Sequence, residues 1–269
     1  MITSYHRPET LQEALALISR PTPTTVPLGG GTLLSHRMPD AVEVVDLQSL
    51  GLDKIAVQGN SLEIGATTTL QALLEHGSCP PALQAALKLE APLNLRNAAT
   101  VAGALVTCSG RSTFTTALLA LDAKLTLYGL PQPVTAGTGK DRAAAANEVN
   151  QNLGDFLPLR PHSLITKLTI PLQAQLAFEF VARTPADTPI VCVALAIWPS
   201  GRARLAVGGY GTAPRLAMDG TEAVGLEIAA GNAYHDAGDE WGSAAYRMDI
   251  AATLSRRCLA ALKPQSATD

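Results

Sequence analysis

The chain has 269 residues, a formal net charge of −3, 47% hydrophobic residues and only 16% charged residues. That apolar content supports a sizeable buried core and excludes a disordered chain, which needs low hydrophobicity and high net charge. With no basic surplus to neutralise phosphates, nucleic-acid binding is excluded as a primary role, and no apolar run reaches the roughly 18 residues of a transmembrane helix.

The first 60 residues read as a β–α–β unit. Leu11, Ala14, Leu15, Leu17 and Ile18 recur at helical spacing behind Thr10 and Glu13, the pair of a capping box, and Pro21 and Pro23 end that helix. Thr24 to Leu28 is a strand that runs into Gly29-Gly30-Gly31-Thr32, and Val42 to Leu47 is the next strand. Ile55–Val57 and Leu62–Ala66 read as a hairpin around Gln58 to Ser61. Helices are expected from Thr67-Thr68-Thr69 through Leu74, from Pro81 to Leu89 and from Thr115 to Leu121, with a mixed small-residue stretch from Asn94 to Thr107. Lys124 to Tyr128 and Leu164 to Ile170 are strands. Between them, residues 129–155 carry no persistent apolar period and read as a long surface segment, with a helical turn over Arg142 to Glu148. The last hundred residues read as three antiparallel strands, Ala177–Arg183, Ile190–Trp198 and Arg202–Gly209, followed by helices over Thr221–Ala230 and Ser243–Leu262.

The four cysteines (Cys79, Cys108, Cys192 and Cys258) are widely spaced with no C-x-x-C pair, which argues against a local zinc or iron–sulfur site and for free thiols in a reducing, cytoplasmic compartment. The opening Met1 to Pro8 lacks the apolar stretch of a signal peptide. His6, His36, His76, His162 and His235 are scattered without ligand spacing, so no metal role is expected. No nucleophile–base pair stands out, so no catalytic side chain is assigned. Arg183 and Asp187 are expected to form a structural ion pair, and Trp198 and Trp241 to act as core or interface anchors.

Three consecutive glycines after a strand let backbone N–H groups approach an anion such as a diphosphate, although a tight turn explains them equally well. The loop is neither a Walker A sequence nor G-x-G-x-x-G, so the usual dinucleotide fold is not indicated. Asn94 to Ala104 is a second stretch of small residues, with Arg96 and Thr100 as polar contacts; locally a packed turn with Arg96 paired to a carboxylate is the better reading.

Taken in order, these stretches resemble a flavoprotein family. The residues that carry the likeness are Tyr5-x-Arg7-Pro8-x-Thr10-Leu11-x-Glu13-Ala14-Leu15, Leu28-Gly29-Gly30-Gly31-Thr32-Leu33-Leu34 and Val45-Asp46-Leu47, then Ile64 to Thr69, Leu95-Arg96-Asn97-x-x-Thr100-Val101-x-Gly103 and Ala117 to Ala123. Arg183 with Asp187, Gly208-Gly209 with Pro214-Arg215, and Ser243-x-x-Tyr246-Arg247 extend it nearly to the C-terminus. The chain resembles the FAD-binding (medium) subunit of molybdenum hydroxylases of the CO dehydrogenase and xanthine dehydrogenase type. The resemblance implies an α+β fold. Two α/β subdomains, about 1–54 and 55–172, would form an FAD-binding domain of the molybdopterin dehydrogenase type, and 173–269 a smaller α+β C-terminal domain. FAD would lie between the subdomains, its diphosphate over Gly29, Gly30, Gly31, Thr32 and Leu33, with Thr100, Val101, Ala102, Gly103 and Ala104 as a second contact and Arg111 as an added cation. Electrons would pass from the [2Fe–2S] clusters of a small subunit, fed by a molybdopterin-bearing large subunit, to this flavin and on to NAD, a quinone or another acceptor. The heterotrimer could pair as a dimer. The sequence departs from the family pattern in that Ala102 replaces a glycine, Ala104 an asparagine, Gly110 a proline, Thr113 an aspartate, and Leu33 a frequent aspartate. The methyl of Ala102 conflicts with the ligand or the backbone if that position needs a positive φ. Two alternatives follow: a degenerate homologue that keeps the fold and partner surfaces but holds FAD weakly or not at all, and, ranked last, a self-standing flavin reductase.

Overall fold

The structure is a computed structural model that describes residues 1–34, 40–129, 148–161, 163–185 and 187–262. It contains three sheets, each with its own helical cover. In the first, β1 (Ile2–His6), β2 (Thr25–Leu28) and β3 (Val42–Asp46) pair in parallel in the order β1-β3-β2. Helix α1 (Leu11–Ile18) connects β1 to β2 and covers the sheet with Ala14, Leu15 and Ile18 against Val45 and Leu47. Its start is set as the sequence indicates. Thr10 Oγ1 accepts from the Glu13 amide at 3.2 Å, and the Glu13 carboxylate reaches back to the Glu9 amide at 3.1 Å.

The second sheet is antiparallel, with the order β4-β5-β8-β6-β7. Its strands are β4 (Ile55–Gln58), β5 (Ser61–Gly65), β6 (Lys124–Gly129), β7 (Glu148–Asn152) and β8 (Ser163–Pro171). Helices α2 (Leu70–Glu75), α3 (Pro81–Glu90), α4 (Leu93–Arg96), α5 (Val101–Thr107), α6 (Thr113–Ala120) and α7 (Leu153–Leu159) accompany it. The small-residue stretch therefore holds α4 and α5 rather than an irregular loop. The segment expected to run along the surface up to residue 155 ends instead in β7 and the start of α7. β7 is an edge strand of polar sequence, EVNQN, largely exposed, so it leaves no apolar period to read. The turn expected over Arg142 to Glu148 lies, apart from Glu148 itself, outside the described residues.

The third sheet is antiparallel in the order β12-β11-β10-β9, built from β9 (Gln175–Val181), β10 (Val191–Ile197), β11 (Ala203–Gly208) and β12 (Arg215–Gly220). It has four strands where three were expected, because β12 is a short edge strand of mixed pattern. Helix α8 (Leu226–Asn232) starts later than expected, since Gly225 in a left-handed conformation (φ 75°) sets its N-terminus. α9 (Ala244–Leu262) follows.

β10 explains how the last two units fit. Its alternate faces carry different sizes: Val191, Val193 and Leu195 pack with α8 and α9, whereas Ala194 and Ala196, with Ala206 of β11, join the core around α6. The small side chains admit α6, all eight of whose residues are buried. Beside this junction Arg202 and Arg204 bind Asp219 at 2.8 and 2.5 Å, and Arg202 reaches Asp122 at 3.0 Å.

Two outcomes are expected. Ala194→Leu overfills the α6 contact and lowers stability by about 1–3 kcal/mol, measured by urea unfolding. The second concerns acid. The Arg202 hydrogen bond, aided by the Arg204 charge, holds the Asp219 carboxyl below its ordinary value of 3.8 although burial opposes this. The unfolded chain then binds the proton more tightly, so the stabilisation is complete above the ordinary carboxyl range and is lost as pH falls through the lowered value. The thermal midpoint should fall below about pH 4, and Asp219→Asn should flatten part of that fall.

Candidate functional site

The loop after β2 is shaped by backbone crowding. The three glycines are needed for three reasons. A Cβ on Gly29 would stand 2.5 Å from Thr100 Oγ1, a Cβ on Gly30 would overlap the Ala98 carbonyl, and Gly31 adopts φ +68°. The glycines are thus pressed against residues 98–100, which brings the two stretches singled out in the sequence into contact. Gly29, Gly30, Gly31 and Thr32 are half-buried, and Leu33 is exposed. Among the described residues, the amides of Gly29, Gly30 and Gly31 donate no hydrogen bond.

The second stretch is held from behind. Residues 66–70 run beside it: the Leu70 amide donates to Ala99 O (2.9 Å), Val101 to Thr68 O (2.8 Å) and Ala102 to Ala66 O (3.1 Å). Thr100 caps α5, its Oγ1 accepting from the Gly103 amide at 3.2 Å, while the Ala104 amide donates to Thr100 O at 2.9 Å. The amides of Val101, Ala102, Gly103 and Ala104 are therefore all used within the chain. What this stretch offers a ligand is the half-buried, small-residue surface of Ala102, Gly103 and Ala104. Ala102 sits inside α5 and is not among the residues of positive φ, so the conflict expected for its methyl through backbone conformation does not arise. Nearby, the buried hydroxyls of Thr67 and Thr68 have no hydrogen-bond partner. In the sequence these threonines read as a helix start and as part of the Ile64 to Thr69 likeness, without assignment to the site. Their single local signal was the run of three hydroxyl residues.

Arg96 is structural, but without a carboxylate: it donates to Gln71 Oε1 (2.9 Å), Ala91 O (2.7 Å) and Lys88 O (3.2 Å), fastening α2 and α3 to α4. Thr113, at the position where the family usually has aspartate, is buried and reaches Ala86 O at 2.7 Å and Glu90 Oε2 at 3.1 Å. Glu90 also accepts from the Phe114 amide at 2.9 Å and meets Ser112 Oγ. An acid thus reaches this spot from α3, and burial raises its pKa. Gly110 is required because a Cβ there would overlap the Tyr210 carbonyl.

Arg111 stacks on Trp241, its guanidinium carbon 4.2 Å from the ring centroid. Arg183 lies over the same ring at 3.9 Å. The ion pair expected between Arg183 and Asp187 is not formed among the described residues, because the Arg183 guanidinium is taken up by the indole. All four cysteines are free and buried, and burial pushes the thiols of Cys79, Cys192 and Cys258 up to about 12, so they are unreactive. Among the described residues no group of three or more His, Cys, Asp or Glu is placed to hold a metal, and no helix is long and apolar enough to cross a membrane. A cavity of about 890 Å³ lies between α7 and β12, lined by none of the residues of the glycine loop or of the Ala98 to Ala104 stretch.

The profile of the FAD binding domain in molybdopterin dehydrogenase matches residues 1–173. The chain belongs to this family. It is 28% identical over 262 residues to the protein YgfM of Escherichia coli K12, covering 94% of each chain. Its fold is similar to that of a chain in CO dehydrogenase from Oligotropha carboxidovorans (TM-score 0.77, 23% identity, 96% of both chains). It is also similar to a chain of quinoline 2-oxidoreductase from Pseudomonas putida 86 (TM-score 0.74, 20% identity, covering 96% of this chain and 95% of that one). FAD is the cofactor of the family, and the residues present fit it: a glycine loop backed closely by Ala98 and Thr100, three loop amides with no acceptor among the described residues, and two orphaned buried hydroxyls.

Gly30→Ala should lower FAD affinity at least about tenfold and reduce the thermal midpoint, because the new methyl displaces the Ala98 to Thr100 contact as well as the loop. Fluorescence titration and a melting curve check both.

Proposed function

We propose that the chain is the electron-transfer flavoprotein subunit of a molybdenum hydroxylase. Bound FAD supplies two-electron and one-electron redox chemistry. The chain binds and orients it: Gly29, Gly30 and Gly31 offer amides to the diphosphate, Thr32 and Leu33 complete that loop, and Thr100, Val101, Ala102, Gly103 and Ala104 give the coenzyme a close-fitting wall. The observation that carries this reading is the set of glycine amides left without acceptors among the described residues, in a loop where Gly29 and Gly30 have no room for a Cβ. In this role electrons come from a [2Fe–2S] small subunit beside a molybdopterin large subunit and leave to NAD, a quinone or another acceptor, and two such heterotrimers pair as a dimer. The relatives named above, among them a CO dehydrogenase and a quinoline oxidoreductase, support the assembly by analogy of fold.

A second reading has its own observation. Every early amide of α5 is bonded within the chain, so the hold on the diphosphate falls on the first loop, which favours a homologue with weakened affinity. Reconstitution decides between the two. The purified chain should take up one equivalent of FAD, show the flavin absorption bands, bleach on reduction, and bind FMN at least about a hundredfold more weakly, since FMN lacks the diphosphate. No flavin band after incubation with excess FAD contradicts the electron-transfer reading.

A further inference from the structure

We infer that Arg111 supplies the positive charge of the flavin site, its guanidinium held ready for an anionic acceptor of the bound coenzyme; the inference rests on the FAD reading above. Nε and Nη2 of Arg111 are buried and have no hydrogen-bond partner. Buried donors of a charged group are normally paired, so this edge calls for an acceptor. No carboxylate lies within ion-pair distance of Arg111 or Arg183 among the described residues, and Asp239 is bound to Arg247 at 2.7 Å. The charged groups acting on Arg111 are Arg183 and Arg247 against Asp239 and Glu240, so with Arg111 itself the cluster carries a surplus positive charge.

The placement is rigid. Gly110 is pinned on both sides, by its amide to Gly211 O at 2.9 Å and by the Gly209 amide to Gly110 O at 2.7 Å. The Trp241 indole then fixes the face of the guanidinium and leaves the in-plane N–H edge for an acceptor. The position also suits the ligand. Helix α5 is seven residues long, about 10 Å, with Thr100 and the glycine loop at one end and the 108–111 segment at the other. Between them Ala102, Gly103 and Ala104 present nothing larger than a methyl. A coenzyme seated on the glycine loop and extended along α5 would run toward the 108–111 segment that carries Arg111. The pyrimidine end of the isoalloxazine, which gains negative charge on reduction, is the acceptor that such a seat brings to a planar fork; the diphosphate would meet it only from a seat off the glycine loop, and the test separates the two.

The test uses the full chain as wild type, Arg111→Gln, Arg111→Lys and Arg183→Gln, with folding checked by circular dichroism. The Kd for FAD and for ADP is measured by calorimetry, and the midpoint potential of bound FAD by redox titration. If the diphosphate is the partner, Arg111→Gln weakens FAD and ADP in parallel by about tenfold. If the ring is the partner, oxidised FAD binds as before and the potential falls by about 30 mV, a tenfold weaker hold on the reduced form of a two-electron couple. In either case Arg111→Lys, which keeps the charge, loses less than Arg111→Gln, and Arg183→Gln, on an exposed residue, shifts the same quantity less. Unchanged Kd and potential in Arg111→Gln, or equal losses in the Gln and Lys variants, overturn the inference while leaving FAD binding intact. Should Arg111→Gln not fold, Arg111→Met, which also removes the charge, takes its place, and an unchanged Kd and potential in that variant overturn the inference. A wild-type chain that binds no FAD overturns the functional reading, and this inference with it.

Discussion

The site depends on one backbone-on-backbone contact, Gly30 against the Ala98 carbonyl. It joins the loop after the parallel sheet to the segment that leads into α5, and it leaves no room for even a methyl group between them. The structure divides the work: the Ala98 to Ala104 side bonds to residues 66–70 and to its own cap, while the three glycine amides find no acceptor among the described residues. Donors without an acceptor among the described residues, on a loop that this contact holds in place, are what an oxyanion-bearing ligand needs.

The α6 junction carries the rest of the architecture. Because β10 and β11 turn alanines toward α6 and larger residues toward α8 and α9, the third sheet can sit on the second unit without a gap. Glu90 and Ser112 organise the start of α6, and the adjoining Gly110 meets the Tyr210 carbonyl. The same few residues thus set the course of the backbone that delivers Arg111 to Trp241.

Much of the fold could be read from the amino-acid order wherever apolar residues keep a period. The first β–α–β unit, the hairpin at Gly59 and the long α9 do so, and β10 shows instead as an unbroken apolar run, VCVALAI, the mark of a strand buried on both faces. β7 and β12 could not be read because both are edge strands with polar or mixed sequences, and α7 was hidden behind β7. At the site, the glycine loop and the small-residue stretch were both visible, but that they touch was not, since contact across sheets leaves no local signature. Glycine was expected to serve ligand approach; at Gly29 and Gly30 the neighbouring chain is what excludes a side chain. Arg183 and Asp187 look like an ion pair because opposite charges four residues apart often pair, yet the indole of Trp241, 58 residues from Arg183 in the sequence, competes for the guanidinium.

The most direct measurement is the set of backbone amide NMR signals of the chain, recorded with and without FAD. The account predicts large shifts and slowed hydrogen exchange at Gly29, Gly30 and Gly31, with the Val101 to Ala104 amides, already bonded within the chain, still protected to the same degree. Bound FAD that leaves the three glycine signals where they were would contradict it.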